Sequence, residues 1–114
     1  MGEVTIPEVD VYQALQLVDA GAVLMDVRED DEWLAGHAPT AVHVPLGSLS
    51  SLDLAAIEGR RVVLLCRSGN RSRGATEFLL GRGVDAVNLI GGMKAWKLAG
   101  APVITASDAD GEII

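Results

Sequence analysis

The residues best suited to chemistry lie in one loop, Cys66-Arg67-Ser68-Gly69-Asn70-Arg71-Ser72, which holds the only cysteine of the chain. A thiol becomes a strong nucleophile once deprotonated. Neighbouring cations and helix N-terminal amides lower its pKa, to about 3.5–7.5 in reactive sites. The loop carries arginines, and its small, turn-tolerant residues allow successive backbone N–H groups to point inward and bind an anion. The pattern therefore predicts a reactive thiolate rather than a buried structural cysteine.

The segments on either side of the loop predict where it lies in the fold. Four apolar residues, 62–65, indicate a buried strand before it. Ala75, Phe78 and Leu79 follow it at helical spacing, with Gly83 as the residue that ends the helix. Because ligands bind at the carboxyl ends of strands in open α/β sheets, this is an expected site position.

The remainder of the chain alternates between strand and helix patterns. Strands are predicted at 4–8, where Pro7 suggests a sheet edge, and at 22–27, 41–45 and 86–90. Helical segments are predicted after Asp10, which forms a capping box with Gln13, and at 28–37, 52–57 and 93–99. Within 28–37, Arg28 and Glu32 are four residues apart and could pair. The alternation predicts a parallel sheet with helices on both faces.

Length, charge and cysteine count limit the function. A chain of 114 residues fits one domain. Its formal net charge of −7 argues against nucleic acid as a partner. No apolar run reaches the roughly 18 residues of a membrane span, and the acidic N-terminus lacks the basic start of a signal peptide. A single cysteine fits a reducing compartment, so a cytoplasmic location is predicted.

Three segments carry a resemblance to a known family. CRSGNRS resembles the active-site loop C-x-x-G-x-R-S of the rhodanese family of sulfurtransferases. DVREDDEWLAGHAPTAVHVPL resembles the first half of a rhodanese domain, and GGMKAWKLAGAPV resembles its C-terminal signature. Together these cover roughly residues 4–103. Thr40 and His43 depart from the family pattern, which usually has glycine and asparagine there.

The resemblance implies a fold and a set of site residues. It implies a three-layer α/β/α domain with a five-stranded parallel sheet over residues 1–103, followed by an acidic, flexible tail at 104–114. Cys66 would be the catalytic nucleophile, and Asp26 and Arg28 would support the loop. For Asp26, a role as a strand-end turn residue remains an equal alternative. The remaining loop residues would bind substrate: Arg67, Ser68, Gly69, Asn70, Arg71 and Ser72.

The implied activity is transfer of a sulfane sulfur. Cys66 would take the outer sulfur of a small anionic donor such as thiosulfate, form a persulfide, and pass the sulfur to cyanide or a thiol. A thioredoxin-like or other sulfur-acceptor protein is a further candidate partner. Inward amides of residues 67–71 would stabilise the persulfide. No metal or organic cofactor is required, and neither nucleic acid nor membrane is an expected partner.

Other functions remain open from the sequence. Cysteine-dependent phosphatases place five residues between cysteine and arginine, whereas four separate Cys66 from Arg71, which favours sulfur transfer over a phosphatase or arsenate reductase. A non-catalytic partner-binding module would have no need of either residue. A redox sensor would need a second thiol from elsewhere. His37 and His43 suggest a zinc site or a Cys–His pair, but too few ligands lie at short spacing.

Overall fold

A computed structural model describes residues 5–107 and 109–114. The strands are β1 (Glu8–Val9), β2 (Val23–Asp26), β3 (Val42–His43), β4 (Val62–Leu65) and β5 (Ala86–Leu89). The α-helices are α1 (Val11–Asp19), α2 (Asp30–Ala35), α3 (Asn70–Leu80) and α4 (Gly92–Leu98). Two 3₁₀ helices, Leu46–Ser51 and Leu54–Ile57, connect β3 to β4.

The five strands form one sheet in the order β1-β5-β4-β2-β3, with every pair parallel. All four residues are buried in each of β2, β4 and β5, and apart from Asp26 and Asn88 these residues are apolar. The register sets Asp26 opposite Leu65, so the ends of β2 and β4 lie side by side. The predicted five-stranded parallel sheet is confirmed.

Helices cover both faces of the sheet and give it three layers. One core cluster joins Leu64 and Val62 to Ala75 and Leu79 of α3. The other joins Leu65 and Leu89 to α1 and α4, with Trp96 almost fully buried as predicted. This confirms the α/β/α architecture. Among the described residues, no helix is long and apolar enough to span a membrane.

Two local predictions of helix ends hold. Asp10 Oδ1 accepts from the Gln13 amide at 2.8 Å, and Gln13 Oε1 accepts from the Asp10 amide at 2.9 Å, which completes the capping box. After α3, Gly83 has a φ of 81° and its amide donates to the Leu80 carbonyl. Val84 donates to the Leu79 carbonyl, so Gly83 ends the helix in a Schellman motif.

Several strand boundaries differ from the predictions. The first strand begins at Glu8 rather than near Thr5, and Val4 lies outside the described residues. Its position at a sheet edge agrees with Pro7. The last strand stops at Leu89, and the following Ile90 is exposed. The Ile90 amide still donates to the Val9 carbonyl at 2.9 Å, so the apolar run extends one residue past the strand while the Ile90 side chain is exposed.

The C-terminal segment, 104–114 without residue 108, packs against the domain. Ile104 forms an antiparallel bridge with His37, and the Glu112 amide donates to the Ala35 carbonyl at 2.9 Å. Ile113 packs against the core cluster that contains Trp96. The flexibility expected of this segment stays a prediction. The boundary between domain and tail after residue 103 also stays a prediction.

Candidate active site

Cys66 directly follows β4, where the chain turns toward α3. Its Sγ accepts hydrogen bonds from the amides of Gly69 at 3.1 Å and Ser72 at 3.4 Å, and the Ser72 hydroxyl lies 3.4 Å away. Cys66 is only 1% exposed, so the sulfur lies beneath the loop. We call residues 66–72 the amide cradle. The side chains of Arg67, Ser68 and Asn70 are exposed on this loop.

The cradle makes Cys66 more acidic. Burial raises the pKa of the Cys66 thiol, but hydrogen bonds from the Ser72 hydroxyl and from the amides of Ser72, Gly69 and Ser68 outweigh burial, and the net pKa is lowered. The predicted acidic thiol is therefore supported. Hydrogen bonds to the sulfur, rather than nearby arginine charges, account for it.

Helix α4 holds the cradle in this orientation from behind. The Met93 amide donates to the Cys66 carbonyl at 2.8 Å, and the Lys94 amide donates to the Arg67 carbonyl at 3.0 Å. Gly92 makes this approach possible, because a Cβ there would lie 2.3 Å from the Cys66 carbonyl oxygen. With their carbonyls bound behind the loop, these residues leave its amides free to face the sulfur.

Asn88 connects the cradle to the sheet. Its Oδ1 accepts from the Ser72 hydroxyl at 2.6 Å, and its Nδ2 donates to the Gly69 carbonyl at 3.2 Å and to Glu8 Oε2 at 2.9 Å. The one Ser72 hydroxyl proton thus lies between two acceptors, Asn88 Oδ1 and Cys66 Sγ. Sequence reasoning missed Asn88, although a polar residue inside an apolar strand was a usable signal.

Replacing Asn88 with alanine should destabilise the domain by about 1–3 kcal/mol, because the Gly69 carbonyl and the Ser72 hydroxyl lose a buried partner. The free energy of unfolding, measured with urea, checks this. Asn70→Ala, an exposed change in the same loop, is the control and should have a much smaller effect. Equal stabilities for the two variants would contradict a structural role for Asn88.

The arginines of the loop region are paired with acceptors. Arg71 makes two bonds to Glu32, at 2.7 and 2.8 Å. Arg73 contacts Glu8 at 2.7 Å, and Arg67 Nε donates to the Ile114 carbonyl at 3.0 Å. The predicted Arg28–Glu32 pair is wrong, because Glu32 binds Arg71 instead.

Asp26 and Arg28 form a fully buried ion pair beside the cradle. Arg28 Nη2 lies 2.8 Å from Asp26 Oδ2 and also donates to the Gly36 carbonyl at 2.7 Å. The Val27 amide between them donates to the Leu65 carbonyl, which joins this segment to the residue before Cys66. These contacts place the pair where a supporting role requires it; that role stays a prediction.

The two histidines contact Trp33. The His37 and His43 rings lie nearly parallel to it, with centroid distances of 3.7 and 4.7 Å. His37 Nδ1 donates to the Trp33 carbonyl and His43 Nε2 donates to the Arg28 carbonyl. The structure therefore gives His43 a hydrogen bond that holds the segment next to Asp26.

The predicted substrate-binding residues have different positions. The amides of Gly69 and Ser72 face the sulfur, Arg71 binds Glu32, and the side chains of Arg67, Ser68 and Asn70 are exposed around the loop. Besides Asn88, sequence reasoning missed the contacts of Glu32 and Glu8 and the support from α4. These partners are far from the loop in sequence. The glycine pair Gly91-Gly92 was the one sequence signal that another backbone segment could approach the loop closely.

Comparison with known proteins decides the family. A model of the rhodanese-like domain matches residues 10–99. The chain belongs to the rhodanese-like domain family. A structure of a rhodanese-related protein from Thermoplasma volcanium is 27% identical, with a TM-score of 0.78 over 86% of this chain and 97% of that one. A Pseudomonas aeruginosa thiosulfate sulfurtransferase is 28% identical, with a TM-score of 0.77 over 96% of this chain and 22% of that one.

Two relatives among known sequences are closer in identity. Uncharacterized protein slr1261 of Synechocystis is 40% identical over 98 residues, which are 85% of this chain and 54% of that protein. The Bacillus subtilis protein named "Putative sulfurtransferase YtwF" is 38% identical over 79 residues, covering 69% of this chain and 77% of that protein. This rhodanese-like chain thus spans about half the length of its cyanobacterial relative.

Proposed function

We propose that this rhodanese-like domain is a sulfurtransferase that carries a sulfane sulfur on Cys66. The observation that supports this most strongly is the amide cradle, in which backbone N–H groups, those of Gly69 and Ser72 among them, and the Ser72 hydroxyl surround a single sulfur atom. Such donors stabilise a negative charge on sulfur in a buried position. The likeness to a thiosulfate sulfurtransferase adds support at the level of the family.

In the first half-reaction, the Cys66 thiolate attacks the outer sulfur of a donor such as thiosulfate. A new S–S bond forms, the donor's own bond to that sulfur breaks, and sulfite leaves with the bonding electrons. The product is a Cys66 persulfide whose charged terminal sulfur stays close to the amides of Gly69 and Ser72. Because these amides already face the sulfur before the reaction, the loop does not need to rearrange when the persulfide forms.

In the second half-reaction, a thiophilic acceptor attacks the terminal sulfur and Cys66 leaves as the thiolate. Cyanide would give thiocyanate, and a thiol would give a new persulfide. A small thiol or a thioredoxin-like protein is the proposed physiological acceptor. Because one covalent intermediate links the two steps, the kinetics should be ping-pong.

The proposal is tested by exposing the protein to thiosulfate and measuring its intact mass. The expected result is a gain of one sulfur atom, which cyanide removes as thiocyanate. Hydrolysis of a phosphate ester without sulfur uptake would instead identify a phosphatase. Failure to take up sulfur from any sulfane donor would favour a partner-binding module.

The dependence of the rate on pH tests the cradle. Since the thiolate reacts, sulfur uptake should rise as pH rises through the lowered pKa of Cys66 and then level off. Ser72→Ala removes a hydroxyl from the sulfur, so the pKa should rise and the curve should move to higher pH. Below the pKa the rate should fall by about tenfold, with little loss above it.

Thr76→Val is the matched control for this experiment. It removes a buried hydroxyl one turn along α3 that donates to the Ser72 carbonyl rather than to the sulfur. Its pH profile should keep the wild-type midpoint. If both variants shifted the midpoint equally, the change would reflect a general loosening of α3 instead of a lost donor to sulfur.

A further inference from the structure

The guanidinium of Arg71 is bound by Glu32 in a bidentate pair. Nη1 contacts Oε1 at 2.7 Å and Nη2 contacts Oε2 at 2.8 Å, so two parallel bonds occupy one edge of the planar group. Glu32 Oε1 also accepts from the Glu29 amide at 3.0 Å, which fixes the carboxylate to the first turn of α2. The Glu32 carboxylate, fixed by the Glu29 amide, therefore holds the Arg71 side chain toward α2.

The pair changes the electrostatics of the cradle. The Arg71 pKa is raised, first by the hydrogen bonds that Arg71 donates to Glu32 and, against the effect of burial, by the charges of Glu32, Cys66 and Glu29. Arg71 belongs to the cradle, but a carboxylate already compensates its charge. Acidic residues at the start of α2 add to the negative potential: Glu29, Asp30 and Asp31.

Of the two other arginines of this region, one is paired with a carboxylate and the other is exposed. Arg73 is paired with Glu8, and Arg67 Nε is bound to the Ile114 carbonyl. The donors that face the sulfur are consequently uncharged amides and a hydroxyl. Such a site stabilises one negative charge on one sulfur atom. Because Arg71 and Arg73 are paired with carboxylates, Arg67 is left to offset two further charges on an approaching donor.

Sulfane donors differ in this respect. Thiosulfate carries two negative charges, and its approach to a thiolate is repulsive unless a cation compensates. A protonated hydropersulfide, R–S–SH, carries no charge on its sulfurs. Attack of the thiolate on its outer sulfur forms Cys66–S–SH, breaks the S–S bond of the donor, and releases R–S⁻ with the electrons of that bond. No oxidant or reductant is needed.

We propose that Glu32 determines donor specificity: by holding Arg71, it makes the cradle select hydropersulfide donors over dianionic ones such as thiosulfate. This inference rests on the proposed sulfurtransferase function. Glu32 does not touch the reacting sulfur and acts through Arg71 and through its own charge. It is a positioning residue of the cradle.

The experiment compares kcat/KM for thiosulfate and for cysteine hydropersulfide in the wild type, Glu32→Gln and Asp31→Asn. Glu32→Gln keeps an oxygen that can accept from the Glu29 amide, removes the charge and frees one side of the Arg71 guanidinium. Asp31→Asn is matched, because it removes one charge from an exposed residue in the same turn of α2.

Glu32→Gln should raise kcat/KM for thiosulfate by about tenfold and change the hydropersulfide value by less than about twofold. Asp31→Asn should leave the ratio of the two values near that of the wild type. Equal changes for both donors, a fall with thiosulfate, or the same shift in Asp31→Asn would overturn the inference. Absence of sulfur uptake from either donor by the wild type would reject the proposed function itself.

The unmodified protein gives an independent readout that does not depend on how the variants fold. Because salt screens repulsion between exposed charges, the wild-type rate with thiosulfate should increase with ionic strength, while the hydropersulfide rate stays nearly constant. A thiosulfate rate that falls with added salt would indicate a free cation at the cradle and would contradict the role of Glu32.

Discussion

Cys66→Ser should abolish sulfur uptake and reduce transfer from donor to acceptor by at least about a thousandfold. The serine oxygen fits the space of the sulfur and can accept from the Gly69 and Ser72 amides, so the fold should persist. A hydroxyl at this position, however, is a far poorer nucleophile than a thiolate. Intact mass after exposure to donor, and the rate of thiocyanate formation with cyanide, measure the two effects.

Thermal unfolding of Cys66→Ser distinguishes lost chemistry from lost structure. We expect a small change in stability, because the substituted atom is buried and keeps hydrogen-bond donors around it. Cys66→Ala, which lacks the oxygen, should show the same loss of transfer. If the serine variant formed thiocyanate at a rate near that of the wild type, the chemistry would lie elsewhere in the molecule.

Gly92→Ala should have the largest effect on stability of the glycine variants, about 3–5 kcal/mol, a large part of the total for a domain of this size. The new Cβ would lie 2.3 Å from the Cys66 carbonyl oxygen and 2.9 Å from the Arg67 carbonyl carbon. Both are backbone atoms of the cradle and cannot rotate away. The free energy of unfolding in urea and the pH dependence of thiol alkylation measure the outcome.

Variants of two other glycines separate the two causes of this destabilisation, which are backbone strain at a positive φ and the clash of the new Cβ. Gly100 also has a positive φ, 82°, but open space around its Cα, so Gly100→Ala reports conformational strain alone, about 1–2 kcal/mol. Gly74 lies inside α3 with open space and ordinary φ, and Gly74→Ala should stabilise the helix by about 0.5–1 kcal/mol. If Gly92→Ala were no worse than Gly100→Ala, close packing of α4 on the cradle would not matter.

Features set by neighbouring residues could be predicted from the sequence. The capping box of Asp10 and Gln13 depends on residues three apart, and the Schellman motif at Gly83 depends on one glycine after an apolar stripe. The buried strands were visible as short apolar runs. The thiol position followed because it directly succeeds such a run, β4, and precedes a helix.

The charge pairs of the site could not be predicted in this way. Arg71 and Glu32 are 39 residues apart, and Asn88 is 16 residues from Ser72, so only the order of the strands brings them together. The local rule that four-residue spacing favours an ion pair failed for Arg28. That side chain is fully buried against Asp26, and a buried charge requires its partner more strongly than an exposed one does.

The same topology supplies partners to the arginines of the loop region that the sequence does not reveal. From the sequence, the arginines of the loop are expected to lower the pKa of the thiol, and Arg67 and Arg71 to bind substrate. Each instead reaches a distant acceptor, and the donors on the sulfur come from backbone and hydroxyl groups. Charge counts along a segment do not reveal compensation by residues that the fold supplies from elsewhere.

The dependence of the cradle on Met93 and Lys94 has a consequence for biosynthesis. A nascent chain exposes Cys66 before the helix whose amides bind the Cys66 and Arg67 carbonyls has left the ribosome. Until that helix docks, the emerging polypeptide carries an ordinary, weakly acidic sulfhydryl that resists oxidants and stray electrophiles. The Cys66 thiol therefore becomes reactive only when folding is complete, and the low reactivity of the unfolded thiol protects the unfinished chain.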